Sequence, residues 1–252
     1  MRHAIVTAGT KGLGKRAAVE FLKKGYSVTL SYRNDVQSVK KMKEEWGSAI
    51  DRIQFIQGDV TKAEDLKHLV DSAYQSFGRV DVLVNNAGPY IFERKKLMDY
   101  SVREWDEMVN GNLTAMFYLF KEVIPIMRRQ NYGRIVTYGF QNAQYAPAWI
   151  YRSAYAAAKA GLVSLTKTVA VEEAENGITV NMVCPGEVTA EYKEASIDEV
   201  RGQLDHNIPI GRPSVGEDIA RTIAFLCDEN SDMLTGAVVE VTGGADVLHK
   251  RR

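Results

Sequence analysis

The chain has 252 residues, with 32 Lys plus Arg against 32 Asp plus Glu, so no net charge draws it toward nucleic acid or an anionic membrane surface. A composition of 45% hydrophobic and 25% charged residues is ordinary for a globular protein, and the length suits one large α/β domain better than two small ones. The cysteines Cys184 and Cys227 and the histidines His3, His68, His206 and His249 are scattered, which offers neither a disulfide framework nor metal-ligand spacing.

The chain opens Met1-Arg2-His3 and enters a strand at once, leaving no room for a signal peptide, and no apolar run approaches bilayer-spanning length. The expectation is a soluble, cytosolic, metal-free protein. Short apolar β-rich runs fall at 3–7, 27–32, 53–57, 80–84, 134–138, 179–184 and 238–241. Helical patterns lie between them at 14–24, 36–46, 63–77, 103–130, 154–174 and 215–227. Strands alternating with helices predict a parallel sheet covered on both faces, with ligands at the carboxyl ends of the strands. No linker or repeat divides the chain. The stretch 187–214 lacks a strong pattern apart from a short helix predicted at 190–201, and its place after a strand reads as a substrate lid. The basic ending Lys250-Arg251-Arg252 reads as a solvated terminus.

Two motifs carry chemistry. Thr7-Ala8-Gly9-Thr10-Lys11-Gly12-Leu13-Gly14 is a glycine-rich turn between an apolar run and a helix, the layout of a phosphate cradle. Tyr155-Ala156-Ala157-Ala158-Lys159 puts a tyrosine and a lysine on one helical face. Together and in this order they point to a nicotinamide-dependent reductase.

With Asn85-Asn86-Ala87-Gly88, Asn112-Leu113, Asn181, Pro185-Gly186 and Pro209-Ile210-Gly211-Arg212 added, the chain from about residue 4 to 244 resembles the short-chain dehydrogenases/reductases, most of all the 3-oxoacyl-[acyl-carrier-protein] reductases. The resemblance implies a single Rossmann-type doubly wound domain, a seven-stranded parallel sheet with helices on both faces, an NAD(P) cofactor and a homo-tetramer. It assigns Tyr155 as proton donor, Lys159 as the cation that lowers the tyrosine's pKa and holds the ribose, and Asn112 as an anchor of the proton relay. Cofactor contacts are implied at Thr7, Gly9, Lys11, Gly12, Leu13, Gly14, Asp59, Val60, Asn86, Ala87, Gly88, Pro185, Gly186 and Val188. Ala8 replaces the family's first glycine, a mild change if its φ stays negative.

At the end of the second strand, Arg33 stands where an NAD enzyme would place a carboxylate, and with Lys11 it favours a 2′-phosphate, hence NADPH; Asp35 nearby argues the other way. After the fifth strand, Phe140 stands at the serine that would orient the substrate carbonyl, so the amide of Gln141 or Asn142 is expected to take that role. Cys184 reads as a small buried hydrophobe. The aromatics Tyr90, Phe92, Phe140, Tyr145, Trp149 and Tyr151 are expected to border an apolar substrate pocket. The substrate is expected to be a small carbonyl compound, free or bound to a carrier protein or CoA. Glu172-Glu173-Ala174-Glu175 argues against an acidic carrier, leaving only Arg128, Arg129 and Arg134 for docking. An NADP-binding regulator with little chemistry, or a reductase of another ketone, aldehyde or sugar, stays open.

Overall fold

In the computed structural model, which describes residues 1–246 and 248, the apolar runs form β1 (His3–Val6), β2 (Ser27–Tyr32), β3 (Ile53–Gln57), β4 (Val82–Asn85), β5 (Gly133–Tyr138), β6 (Ile178–Pro185) and β7 (Val238–Val241). All pair in parallel, in the order β3-β2-β1-β4-β5-β6-β7. Alternate side chains enter opposite faces, as a strand's period of two requires. Ile5, Leu83 and Ile135 join the cluster under α3 (Ala63–Phe77), α5 (Ala115–Gln130) and α6 (Ser153–Glu172). Val6, Val84 and Val136 join the cluster under α1 (Gly12–Lys23), α2 (Val36–Glu45) and α7 (Gly216–Leu226). The sheet is therefore buried on both faces, as the sequence predicts. The order reverses between β1 and β4, which opens a crevice at their carboxyl ends.

Two predicted helices are corrected. The stretch 103–130 is not one helix: α4 (Val102–Val109) passes through a π-helical turn, Asn110–Thr114, before α5 begins. Gly111 and the polar Asn110, Asn112 and Thr114 occupy the widened turn, and such turns recur at functional sites. The helix expected at 190–201 is two 3₁₀ turns, Ala190–Tyr192 and Asp198–Val200. The ending Lys250-Arg251-Arg252 and His249 lie outside the described residues.

His3, in β1, shows what complete burial does to a titratable group. Its ring stacks on Phe77 with centroids 4.2 Å apart, and Nδ1 and Nε2 lie 2.9 Å from Ser27 Oγ and 3.1 Å from Thr29 Oγ1. Burial lowers its pKa to about 4, against the pull of Asp81. The fold thus holds a neutral imidazole, and the unfolded chain binds the extra proton below pH ~6.5. Stability is full above that pH and falls as the pH drops toward 4, by on the order of 3 kcal/mol from this group. Urea titrations from pH 7 to 4 should show that loss, reduced in His3→Gln; identical slopes in both proteins would refute it.

Candidate active site

The glycine turn closes on the neighbouring strand end through the side chains around it. Thr7 Oγ1 donates to Asn85 Oδ1 at 2.9 Å and accepts from the Ala87 N–H at 2.9 Å, while Asn86 Nδ2 donates to the carbonyls of Thr7 and Ala8, each at 3.1 Å. A side chain at Gly14 would come within 2.5 Å of the Ala8 carbonyl and 2.6 Å of Asn86 Nδ2, so only glycine lets α1 start here. Gly9 is equally closed off, by Leu30 and the Val6 carbonyl. Ala8 departs from expectation: its φ is +48°, in the left-handed region. Its N–H donates to Ser31 Oγ at 3.0 Å, which helps hold a conformation costing about 1 kcal/mol.

The cradle takes an anion in this structure. Glu194, from the 187–214 stretch, accepts from the Gly12 N–H at 2.8 Å and lies 3.2 Å from Lys15 Nζ. A carboxylate at the first amides of α1 stands in for the charge a phosphate would bring, so the residues present fit a dinucleotide. Sequence reasoning missed Glu194, because nothing in a patternless loop ties it to a turn 182 residues away.

Two cavities flank this turn. One, of about 450 Å³, is lined by Lys11, Arg33, Asp35, Asp59, Val60 and Gly88 among others. Lys11 Nζ lies 3.0 Å from Asp35, and Arg33 lies 4.0 Å from Asp59. Asp35 caps α2, accepting from the Ser38 N–H at 3.0 Å. That hydrogen bond, with Lys11, holds its pKa down at about 2.

The second cavity, of about 680 Å³, gathers Leu13, Asn86, Asn112, Tyr155, Lys159, Pro185, Gly186 and Val188. The structure thus brings the predicted Tyr155, Lys159 and Asn112 together with the glycine turn. The π turn directs Asn112 inward: its Nδ2 donates to the Pro89 and Met108 carbonyls at 2.9 and 3.0 Å, leaving Oδ1 buried without a partner and facing Gly88. Lys159 is 3% exposed, and its Nζ lies 5.6 Å from the centre of the Tyr155 ring. Burial pushes Lys159 down to about 8 and raises Tyr155, with Tyr90 and Cys184 adding to the latter. Burial, the largest cause, holds Tyr155 above its ordinary value here, opposite in direction to the lowering expected of Lys159. Burial also raises Cys184 to about 12, so it is a thiol.

Tyr90, Phe92, Phe140, Trp149 and Tyr151 all line this cavity, whereas Tyr145 is 74% exposed and does not. Phe140 is buried against Trp149, with ring centroids 5.0 Å apart. The expected amide donor narrows. Asn142 is not among the lining residues, its backbone taking a left-handed turn with its N–H on Glu240; Gln141 lines the cavity and donates one Nε2 proton to the Ala245 carbonyl at 2.9 Å. Sequence reasoning also missed Arg152, whose partners Tyr90 and the Phe92 and Glu93 carbonyls come from a loop some 60 residues away.

A doubly wound sheet with a glycine-rich first turn at this crevice is a frame that binds dinucleotides. A family model described as enoyl-(acyl carrier protein) reductase matches residues 7–246, and the chain belongs to the short-chain dehydrogenase/reductase family of oxidoreductases. It is 59% identical to YtkK of Bacillus subtilis (strain 168), named provisionally as an oxidoreductase, over all of this chain and 99% of that one. It is 34% identical to the 3-oxoacyl-[acyl-carrier-protein] reductase FabG of Staphylococcus epidermidis, over 96% of this chain and 98% of that one. Among solved structures, ElxO with NADP bound superposes with a TM-score of 0.84 at 30% identity, covering 96% of this chain and 98% of that one.

Proposed function

We propose that the protein is an NADPH-dependent reductase of a carbonyl compound, a 3-oxoacyl thioester or a related ketone. The observation that carries this is Tyr155 and Lys159 lining one cavity with the glycine turn's Leu13 and with Pro185 and Gly186. Bound NADPH supplies a hydride to the carbonyl carbon. Tyr155, held protonated by its surroundings, gives its proton to the oxygen, so that C=O becomes CH–OH, and regains one from solvent. Lys159 holds the ribose and keeps a positive charge near the phenol as it loses that proton. Asn112 offers its unpartnered Oδ1 to the relay by which the proton returns. Thr7, Gly9, Gly12 and Gly14 shape the phosphate cradle, Asn86, Ala87 and Gly88 close its other side, and Asp59 and Val60 border the adenosine half.

The aromatic walls favour an apolar acyl or alkyl portion, and the FabG likeness supports a 3-oxoacyl group. A carrier protein is disfavoured by the state of two of the three nearby arginines. Arg128 makes a bidentate pair with Glu173 at 2.6 and 2.8 Å, and Arg134 is 3% exposed, its guanidinium donating to backbone carbonyls. A CoA or free thioester fits better. NADPH oxidation should be seen with 3-oxoacyl-CoA thioesters or simple ketones; NADPH binding without turnover of any of them would favour a cofactor-binding regulator.

A cytosolic homo-tetramer is part of the same proposal. Val102 and Trp105 on α4, Phe117 on α5 and Val171 at the end of α6 are exposed apolar side chains suited to helix–helix interfaces. Light scattering is expected to give a tetramer; a 28.1 kDa particle at micromolar concentration would refute it.

A further inference from the structure

Phe140 leaves the proposed reductase without the hydroxyl that would steady a substrate oxygen beside Tyr155. We propose that the Tyr90 phenol makes that hydrogen bond, with Arg152 as the residue that positions it. This rests on the carbonyl-reductase reading of the site. Tyr90 lies just beyond the Gly88 turn after β4 and lines both cavities, so it stands where they meet. Its ring meets that of Tyr155 edge to face, with centroids 5.0 Å apart and planes at 85°. Among the described residues no other aromatic ring comes as close to Tyr155: Trp149 is at 6.0 Å and Phe140 at 6.4 Å.

The hydrogen bond from Arg152 fixes which way the Tyr90 hydroxyl works. Arg152 Nε donates to Tyr90 Oη at 2.6 Å, filling the oxygen as an acceptor. Among the described residues no acceptor takes the Tyr90 O–H, so that proton is available to a carbonyl in the cavity. A cation donating into a phenol oxygen polarises it and strengthens its own donation.

Arg152 is held in place by the backbone around it. Its other donors go to the carbonyls of Phe92 at 3.2 Å, Glu93 at 2.9 Å and Tyr151 at 3.0 Å. No carboxylate pairs with it among the described residues, and its guanidinium carbon lies 5.0 Å from the centre of the Tyr90 ring. Tyr151, whose carbonyl it grips, holds φ at +67°, a strained conformation for a non-glycine residue. The Arg152 bridge thus ties the loop before α6 to the loop after β4, and both to Tyr155.

The test uses the full-length enzyme, NADP⁺ and the N-acetylcysteamine thioester of 3-oxobutanoate, labelled with ¹³C at the ketone. In this dead-end complex the infrared stretch of the ketone reads hydrogen bonding directly, without turnover. It should move to lower frequency in the wild type, and part of that shift should survive in Tyr155→Phe. Adding Tyr90→Phe should return it to the solution value. In NADPH turnover, Tyr90→Phe should lower kcat by ~100-fold with little change in KM or in NADPH affinity, the pattern of a donor used in the transition state. Arg152→Gln should shift both readouts in the same direction by less, and Arg152→Lys should restore part of the loss. A wild-type ketone stretch at the solution value overturns the assignment, as does a Tyr90→Phe complex unchanged from wild type. Full turnover in Tyr155→Phe would instead sink the reductase reading and leave the infrared result to judge Tyr90 on its own.

Discussion

Tyr155→Phe is expected to lower the turnover of NADPH-dependent ketone reduction by about 100- to 10,000-fold, the range supplied by a positioned general acid. The ring has close neighbours in Tyr90, Trp149 and Phe140, and phenylalanine keeps those contacts, so the fold and the cofactor pocket should survive. NADPH affinity, measured by fluorescence titration, should stay within a few-fold of wild type. The pH profile adds a second check. Burial raises Tyr155 and so keeps it protonated across the neutral range, while Lys159 sits at about 8. As the pH climbs through 8 the cation is lost, and kcat/KM for NADPH should decline. Turnover within ten-fold of wild type in Tyr155→Phe would remove the phenol from the mechanism.

The fold was legible in the sequence because its signals are local. Each strand is a short apolar run beside a helical pattern, and β2, β3, β7 and α3 fall where the residues predict them. Local signals failed where backbone geometry answers to distant partners. The π turn at Asn110–Thr114 looks like uninterrupted helix in sequence, yet it is what turns Asn112 toward Gly88. Ala8 reads as a mild change if its φ stays negative, but its φ is positive, with its N–H on the Ser31 hydroxyl of the next strand and its carbonyl on Asn86.

The site divides along the same line. Tyr155 and Lys159 are one helical turn apart on α6, so their adjacency follows from spacing alone. The cradle follows from the glycines of a strand–turn–helix unit. The partner that orients a substrate carbonyl cannot be read that way. Gln141 was the nearest amide in sequence, but its Nε2 is drawn to the Ala245 carbonyl, 104 residues on. Tyr90 and Arg152 are 62 residues apart, and only the folded loops bring them together.

Removing Arg33 should change which cofactor the protein prefers. Its side chain is open to solvent at the rim of the smaller cavity, 60% exposed, and among the described residues its carboxylate partner is Asp59, 4.0 Å away. An exposed pair at that distance is worth little, so the guanidinium is free to turn toward a 2′-phosphate. Asp35 is the residue that could have favoured NADH, by accepting from the ribose hydroxyls. It is instead committed to capping α2 and to Lys11, at 3.0 Å each. That leaves two cations and no uncommitted carboxylate from the end of β2. A charge-assisted hydrogen bond contributes about 1.5–3 kcal/mol, so Arg33→Ala should weaken NADPH binding by roughly 10- to 150-fold. NADH binding should change by less than about three-fold, because NADH has no phosphate for Arg33 to meet. Lys11→Ala should act in the same direction but more weakly, since its ammonium is shared with Asp35. Titration of both cofactors against all three proteins in 0.1 M salt decides the matter, with screening kept constant. Equal NADPH and NADH affinities in the wild type, unmoved by Arg33→Ala, would end the claim.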